Sequence, residues 1–372
     1  MNVDRNSPSG GSRDWVLAGL SVVLIAMGFF ALVSASLGLL DDARSPIGVL
    51  TRQFLFALGV GIAGLVVADR IPMAWLRRAA SGIFIIAFVI SLAVFVPGIG
   101  FQSGGAYRWI AAGPLFFQPA ELLKIGFIIY LAAWLASRNG GYRSAEFGVL
   151  SLLGMVAALG ALFIRQPDIG TLGVILLTGT ALFYAGGGQL RHVGLVGLAV
   201  AVFLIIGVLL RPYALDRVLV FVDPSFDPQG AGYQVRQAAI AFGSGGSWGR
   251  GFGQSTQKFS YLPEPMGDAI FAVIGEEFGF AGAAALVLLF LAFLWRVVLV
   301  VFRVRDPFAR LLGLGVGILI TVQAFINMGA LVGIVPLTGI TLPFISHGGS
   351  SLAITLVGVG ILLNVSRHRT TI

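Results

Sequence analysis

The chain has 372 residues, of which 57% are hydrophobic and only 11% are charged. A soluble globular protein carries roughly 25% charged residues, so too few polar side chains remain here to cover a water-soluble surface. Cysteine is absent, which excludes disulfides, thiol catalysis and Cys-ligated zinc. The composition therefore indicates a membrane protein, and the 52 glycines favour close packing of its helices in lipid.

Uncharged apolar runs predict ten membrane-spanning helices, because a charge at the centre of such a helix costs about 2.5 to 3.5 kcal/mol. The first run is too long for the apolar region of a signal peptide, so we interpret it as a retained helix. The predicted spans cover residues 15–40, 47–68, 80–96, 118–136, 147–164, 169–185, 193–210, 269–301, 309–335 and 348–365. The expected fold is an all-α polytopic membrane protein.

The predicted boundaries divide the chain into five parts. These are an N-terminal tail (1–14), helices one to seven (15–210), a large loop between helices seven and eight (211–267), helices eight to ten (268–366) and a C-terminal tail (367–372). Fourteen arginines lie in segments on the side of the two tails, against Arg44, Arg52, Arg108 and Arg165 in the short loops on the other side. Cytoplasmic connections carry such an excess, so both tails are expected in the cytoplasm and the large loop outside.

The net charge of +8 is then mainly a topology signal, and a nucleic-acid partner is not expected. In the large loop, residues 233–242 predict a helix at the membrane surface, with Val235, Ala239 and Phe242 on one face. Residues 335–349 contain two prolines and a glycine pair, which predict a break in the helical backbone. The GxGxxG pattern at residues 59–64 lies inside a predicted span, so it indicates helix packing instead of nucleotide binding.

Glu121 and Lys124 form the first candidate site, in the first turn of the fourth span. They lie three residues apart on one helix face, after Gln118 and a proline that suits a helix start. A structural ion pair is one interpretation, but ionisable residues at this depth usually face a cavity or a pathway. Arg108 would add a second cation, and the two cations would suit an anionic head group such as a phosphate.

Asp268 is the second candidate, at the entry to the eighth span, with Glu276 and Glu277 two turns deeper. A carboxylate at such a boundary should have a raised proton affinity and could act as a general base. The alternative for Asp268 is helix capping. For Glu276 and Glu277, anchoring of the loop or of a neighbouring helix is at least as good an interpretation as chemistry.

The glycine-rich start of the tenth span, residues 346–351, is a candidate anion site formed by successive backbone N–H groups. A serine hydrolase would need a base and an orienting acid at hydrogen-bond distance, and the sequence shows neither. Asp168 is expected to cap the sixth span. A metal site built on His192, His347 and His368 is not expected, because the three lie too far apart in the sequence.

Taken together, these segments resemble the SEDS family (shape, elongation, division and sporulation), the FtsW and RodA proteins of bacterial cell-wall synthesis. The resemblance is carried by YRWIAAGPLFFQPAELLK at 107–124, QPDIGT from 166, YQVRQAAIAFGSGG from 233, QSTQKFSYLPE at 254–264, AIFAVIGEEFGFAG after Asp268 and PLTGITLPFISHGGSS at 336–351. The sequences of the YQ, GFGQS and TQKFSYLPE segments resemble the FtsW division branch more than RodA. The chain departs from the family pattern at Met266, Gly267, Ala269 and His347.

The resemblance implies a glycosyltransferase that polymerises lipid II into peptidoglycan on the outer face of the bacterial cytoplasmic membrane. Partners would be a class B penicillin-binding protein and other division or elongation proteins, and a divalent cation (Mg or Mn) is an optional cofactor. Asp268 would activate the acceptor hydroxyl. Substrate binding is assigned to Arg108, Gln118, Glu121, Lys124, Glu264, Ser346, Ser350 and Ser351. The alternatives are a lipid II flippase and a non-catalytic divisome scaffold.

Overall fold

The computed structural model describes residues 11–38, 48, 57–103, 106–112, 115–137, 147–259 and 261–369. This described part is mainly helical, as predicted. Its α-helices are α1 (Trp15–Ser36), α2 (Gly59–Arg70), α3 (Met73–Leu92), α4 (Pro119–Leu135), α5 (Phe147–Arg165), α6 (Ile169–Ala185), α7 (Leu190–Leu210), α8 (Pro212–Val222), α9 (Tyr233–Gly245), α10 (Ile270–Val301), α11 (Pro307–Leu331) and α12 (Gly349–Ser366).

All these helices except α8 and α9 fall on predicted spans, and α8 and α9 lie in the long connection between α7 and α10. Six segments of the described residues are long and apolar enough to cross a membrane. They are Trp15–Ser36, Met73–Phe95, Leu190–Leu210, Ile270–Val301, Pro307–Leu331 and Gly349–Ser366. The chain is thus a multi-pass membrane protein. Ten crossings remain a prediction, and part of the second predicted span, residues 49–56, lies outside the described residues.

The predicted start of the third span differs most clearly from the structure. The third span was expected to start at residue 80, but α3 begins at Met73 and includes Arg77 and Arg78. Arg77 donates a hydrogen bond from Nη2 to the Ala136 carbonyl at the end of α4 (3.2 Å). Charges therefore mark the edge of the apolar stretch and not the end of the helix, which continues beyond that stretch.

A small antiparallel sheet, which the all-α prediction missed, connects α3 to α4. Its strands are β1 (Gly100–Ser103), β2 (Ala106–Ala112) and β3 (Leu115–Phe117), in the order β1-β2-β3. Ser103 pairs with Ala106, so a Gly-Gly pair connects the first two strands. That dipeptide between two short runs is a hairpin signal in the sequence. The sheet brings Arg108 and Trp109 toward the first turns of α4 and α6.

The close contact of α2 with α12 depends on glycine. A Cβ placed on Gly61 would lie 2.5 Å from Leu356 Cδ1, and one on Gly360 would lie 2.3 Å from the Leu65 carbonyl oxygen. Real Cβ atoms do not approach other atoms so closely, so the two helices touch through these glycines. The GxGxxG pattern at residues 59–64 therefore serves helix packing, as predicted.

Helix α9 packs on the first turns of α10 with a face that overlaps in part with the predicted one, since the Phe242 ring lies 5.4 Å from the ring of Phe271. The structure buries Ala238, Ala241 and Gly245, whereas Ala239 is exposed. A Cβ on Gly245 would lie 2.1 Å from the carbonyl oxygen of Gly275 in α10. The contact thus uses small residues of α9. A hydrophobicity pattern does not predict their burial, because it ranks small residues below larger apolar ones.

Two buried aspartates form ion pairs with arginines at the end of the bundle where α1 begins. Asp14 accepts two hydrogen bonds from Arg296, at 2.9 and 2.7 Å, and one from Arg369 at 2.6 Å. Burial of Asp14 opposes its ionisation, but the hydrogen bonds and charges of these partners outweigh burial and hold its pKa below the ordinary value. Asp69 pairs with Arg13 at 2.7 Å, and Arg367 lies against it.

We expect Gly360→Ala to lower the free energy of unfolding by about 1 to 3 kcal/mol, because the added methyl group must push α2 and α12 apart. The control is Gly59→Ala on the same helix pair, where a Cβ would meet no atom within 4 Å. Thermal unfolding in detergent compares the two variants. Equal melting temperatures would contradict the proposed glycine contact.

Candidate functional site

A cavity of about 80 Å³ opens where β2, α4, α6, α11 and the non-helical residues after α11 meet. Its lining is strongly polar for the interior of a membrane protein. The lining residues are Arg108, Trp109, Gln118, Glu121, Lys124, Asp168, Thr171, Val174, Gln323, Gly339, Ile340 and Thr341. Ligand pockets usually measure about 300 to 1,000 Å³, so in this conformation the cavity has room for a small polar group only.

Glu121 and Lys124 face this cavity from the first turns of α4, which starts at Pro119. Both side chains are buried, and Lys124 Nζ donates to Glu121 at 2.9 Å and to Gln323 Oε1 at 2.5 Å. Gln323 in turn donates from Nε2 to the Thr341 carbonyl at 2.9 Å. The expected pair therefore exists, and it connects α4 through α11 to the broken segment that precedes α12.

Arg108 and Asp168 form the opposite wall. Arg108, on β2, donates hydrogen bonds to the carbonyls of Gln166 and Pro167, just before α6. Asp168 caps α6 as predicted, since its Oδ1 accepts from the Thr171 N–H at 3.2 Å. Its Oδ2 accepts from the Gln118 side chain at 3.3 Å, which holds Gln118 in the wall.

Asp268 lies next to this cavity, in the turn that precedes α10. Its Oδ1 accepts a hydrogen bond from Gln234 of α9 at 3.1 Å. Burial raises the pKa of Asp268 to about 6 against the opposing charge of Arg217, and the neighbouring carboxylate of Glu264 adds to the rise. With this raised pKa, the Asp268 carboxyl group can exchange a proton near neutral pH.

The backbone around Asp268 is fixed by side chains from other elements. Asn327 of α11 donates from Nδ2 both to the Asp268 carbonyl and to the Ile340 carbonyl, each at 2.8 Å. Ser346 Oγ donates to the Gly267 carbonyl at 2.7 Å, and the His347 N–H donates to the Met266 carbonyl at 2.7 Å. The turn that departs from the family pattern is therefore held between α11 and the segment before α12.

The expected substrate-binding serines lie around the cavity without lining it. Ser350 Oγ accepts from the Gln118 N–H at 3.3 Å, and Ser351 Oγ lies 2.8 Å from Thr341 Oγ1. Ser346 and its neighbour His347 bond to the Asp268 turn, as described above. These contacts place the serines beside the cavity wall, and their role in substrate binding stays a prediction. Glu264 is exposed beside Asp268.

Gln323, Asn327 and Arg217 were not among the predicted site residues. The two amides are four residues apart in a mainly apolar helix, which places them on one face and is a signal available in the sequence. Arg217 lies on α8, inside the long connection between α7 and α10. Its Nη1 donates to the Leu337 carbonyl at 3.3 Å, and its charge acts on Asp268.

Helix α10 is broken at Gly279, where φ is 65° and ψ is −164°. Residues 246–251 of the long connection fill the break: the Phe280 N–H, for example, donates to the Gly246 carbonyl at 2.9 Å. A Cβ on Gly279 would lie 2.3 Å from the Gly249 nitrogen, so both the left-handed backbone and the close approach require glycine. The connection thereby satisfies backbone groups that the break frees.

Glu276 and Glu277, just before the break, also bind the long connection. Glu276 accepts hydrogen bonds from five of its described residues: Ser244, Arg250, Ser255, Thr256 and Gln257. Glu277 accepts from Lys258 Nζ at 2.8 Å, and Lys258 also donates to Ser34 Oγ of α1 at 2.9 Å. Lys258 and Glu277 are each only 1% exposed. These contacts fit the expected loop-anchoring role of both glutamates, with Lys258 as a partner that sequence analysis did not identify.

Comparison with known proteins shows similarity along nearly the whole chain. A profile of the FtsW/RodA/SpoVE family, described as cell cycle protein, matches residues 14–371. Stage V sporulation protein E of Bacillus subtilis (strain 168) is 36% identical over 361 residues, which cover 96% of this chain and 98% of that protein. A probable peptidoglycan glycosyltransferase FtsW of Idiomarina loihiensis is 35% identical over 360 residues, covering 96% and 87% respectively.

Two solved structures share the fold. A chain from the structure described as "Structural coordination of polymerization and crosslinking by a peptidoglycan synthase complex" has a TM-score of 0.79 and 30% identity, covering 96% of this chain and 98% of that chain. The rod shape determining protein RodA of Thermus thermophilus has a TM-score of 0.70 and 28% identity, again covering 96% and 98%.

We expect Lys258→Met to destabilise the protein by about 3 to 5 kcal/mol, because it leaves the buried Glu277 carboxylate without its cation. Arg250→Met is the control. It removes a half-exposed cation from Glu276, which keeps its other donors, and should cost at most about 1 kcal/mol. A double variant, Lys258→Met with Glu277→Leu, should recover part of the loss. Thermal unfolding in detergent measures all three, and equal effects of the two single variants would refute the anchoring role of the buried pair.

Proposed function

The chain belongs to the FtsW/RodA/SpoVE family of cell cycle proteins, and from this premise we propose that it is a peptidoglycan glycosyltransferase that polymerises lipid II into glycan strands. Relatives named for this activity support the proposal. The observation that carries it is the position of Asp268, a carboxyl group with a raised pKa beside a cation-bearing cavity. A sugar hydroxyl needs a base, and a diphosphate leaving group needs positive charge.

In the proposed reaction an acceptor hydroxyl attacks C1 of a donor sugar that is linked to undecaprenyl diphosphate. The new C1–O bond forms while the bond from C1 to the phosphate oxygen breaks, and its electron pair leaves with the diphosphate. The hydroxyl proton moves to an Asp268 oxygen, which restores charge balance at the acceptor. Asp268 must therefore be ionised before the reaction begins, as it is above a pKa of about 6.

Lys124 and Arg108 contribute positive charge to the cavity, but both already donate to protein oxygens. Their role in the proposal is to set an electrostatic environment that attracts a phosphate group. The cavity of about 80 Å³ is too small for a disaccharide, so the sugars would lie outside it, toward Asp268 and the long connection. Binding the complete head group would therefore require the connection and the cavity wall to separate.

A divalent cation was an optional expectation. Within the described residues, no group of three or more His, Asp and Glu side chains could hold a metal ion, and Asp268 has the cation Arg217 close to it. This donor set forms no protein cage for a resident Mg or Mn ion. Mg usually binds through one or two carboxylates together with substrate phosphates, so an ion between Asp268 and the diphosphate stays a prediction, and no step of the proposed reaction depends on it.

The proposed setting is the bacterial cytoplasmic membrane, with both termini in the cytoplasm and the Asp268 turn on the outer face. The arginine-rich end of the bundle, around Asp14 and Asp69, would then face the cytoplasm. The proposed partner is a class B penicillin-binding protein, with other division or elongation proteins. A similar solved chain comes from a structure described as a peptidoglycan synthase complex, which supports an assembly of this kind.

We expect Asp268→Asn to lower glycan synthesis at least about 100-fold, because an amide cannot accept the hydroxyl proton. The matched control is Asp223→Asn in the same connection, since the Asp223 side chain is exposed and its described hydrogen bonds are all with Ser225. Purified protein, with and without its transpeptidase partner, is given lipid II and the products are separated on a gel. Undiminished glycan from Asp268→Asn would remove the base from the proposal, and transbilayer movement of lipid II without any glycan would favour a flippase.

We further expect the rate of polymerisation to fall about tenfold per pH unit below pH 6. The pKa of Asp268 is raised, so protonation removes the base at a higher pH than for an ordinary aspartate. The measurement is a pH–rate profile of the purified protein, with thermal unfolding followed over the same range to exclude acid denaturation. A rate that stays constant down to about pH 4 would contradict the assignment.

A further inference from the structure

Gly339 forms the floor of a narrow slot between a base and a cation. This residue lines the cavity and has a φ of 70°. At the position where a Cβ would stand, the nearest atoms are Arg217 Nη1 at 3.1 Å, Arg217 Nη2 at 3.4 Å and Asp268 Oδ2 at 3.6 Å. The guanidinium group and the carboxylate therefore face the same small space, which only a glycine leaves open.

Arg217 differs from the two cations that the sequence pointed to. Lys124 donates to two side chains and Arg108 donates to two carbonyls. Among the described hydrogen bonds, the guanidinium of Arg217 makes one, a 3.3 Å bond to the Leu337 carbonyl. The described ion pairs do not include Arg217 with Asp268, although its charge acts on that carboxyl group. The geometry thus brings the two charges near each other on the same side of Gly339.

Resting on the glycosyltransferase activity proposed above, we propose that Arg217 binds the leaving diphosphate in this slot, directly beside Asp268. As the bond from C1 to oxygen breaks, negative charge develops on the phosphate oxygen. A planar guanidinium can meet a phosphate with two parallel hydrogen bonds, which a lysine cannot do. The acceptor hydroxyl would then lie over Gly339 with its proton directed at Asp268 Oδ2.

This assignment gives the long connection a direct part in the reaction. Arg217 comes from α8, Gln234 from α9, and Asp268 from the turn after them, so three parts of the connection converge on one slot. A purely structural role is the alternative, because Arg217 also stacks over the Tyr213 ring at 5.7 Å and holds the Leu337 carbonyl. The two roles differ in what they predict for the polymerisation rate at a pH where Asp268 is ionised.

The charged and polar groups that face Asp268 are Arg217 from α8, Glu264 from the preceding turn and the Gln234 amide from α9. Arg217 favours the ionised carboxylate, so its removal should move the acidic limb of the pH–rate profile to higher pH. Glu264 acts in the opposite direction, so Glu264→Gln should move the limb to lower pH. A purely structural role of Arg217 would shift the limb in the same way, since the charge of Arg217 acts on Asp268 in either role. It would leave the rate above the limb, where Asp268 is ionised, at the wild-type value.

The experiment compares the purified wild-type protein with Arg217→Gln, Arg217→Lys and the control Arg236→Gln, an exposed arginine of the same connection. Lipid II polymerisation is measured between about pH 5 and pH 9, together with thermal unfolding. We expect Arg217→Gln to lower the rate about 100-fold or more and to shift the acidic limb upward. Arg217→Lys should keep the limb in place and recover part of the rate, and Arg236→Gln should match the wild type.

Wild-type activity in the Arg217→Gln variant, or an unshifted acidic limb, would overturn this inference and leave the glycosyltransferase proposal standing. A wild-type protein that makes no glycan would overturn that proposal and the inference with it. If Arg217→Gln does not fold, Arg217→Lys decides the matter, because it keeps the charge and loses the two-pronged geometry. A Lys variant with the full wild-type rate would then count against phosphate binding by the guanidinium.

Discussion

The buried pair of Lys258 and Glu277 keeps the long connection against the bundle, and the position of Asp268 depends on it. Without these partners, α10 would expose two carboxylates and the backbone groups freed at Gly279 to an apolar environment, which is costly. The connection donates hydrogen bonds to these groups, and the same bonds hold the connection in place. Asp268 lies in the turn directly before the same helix. The contacts of the connection near Gly279 therefore also help to fix the candidate base.

Helix α11 provides the second fixed reference for the site. Gln323 and Asn327 lie one turn apart and bond to the successive carbonyls of Thr341 and Ile340. The first amide also accepts from Lys124 and the second also donates to the Asp268 backbone. Lys124 and Asp268 are thereby both bound to one rigid helix, although they come from segments far apart in the sequence. A site built on such an element keeps its geometry better than one built on loops alone.

The helices and the candidate base could be predicted from the sequence, because both follow from the cost of placing charge in lipid. Charge-free runs located the helices, and Asp268 was noticed because an acid at a membrane edge is expensive. Arg217 could not be found this way, since an arginine in a polar connection carries no such cost and acquires its role only when α8 folds back. The Gly279 break was missed for a related reason: a glycine within an apolar run is ordinary until its partner segment is known.

The aspartate cluster at the other end of the bundle affects how the chain can be shortened. Asp69 pairs with Arg13 before α1 and with Arg367 after α12, and Asp14 pairs with Arg296 of α10 and with Arg369 after α12. Removal of the last few residues would look harmless in a hydropathy plot, since no span is touched. It would nevertheless leave two buried carboxylates with only part of their compensating charge, in the region where α1, α2, α10 and α12 meet. Arg13, Arg367 and Arg369 are therefore a structural part of the bundle.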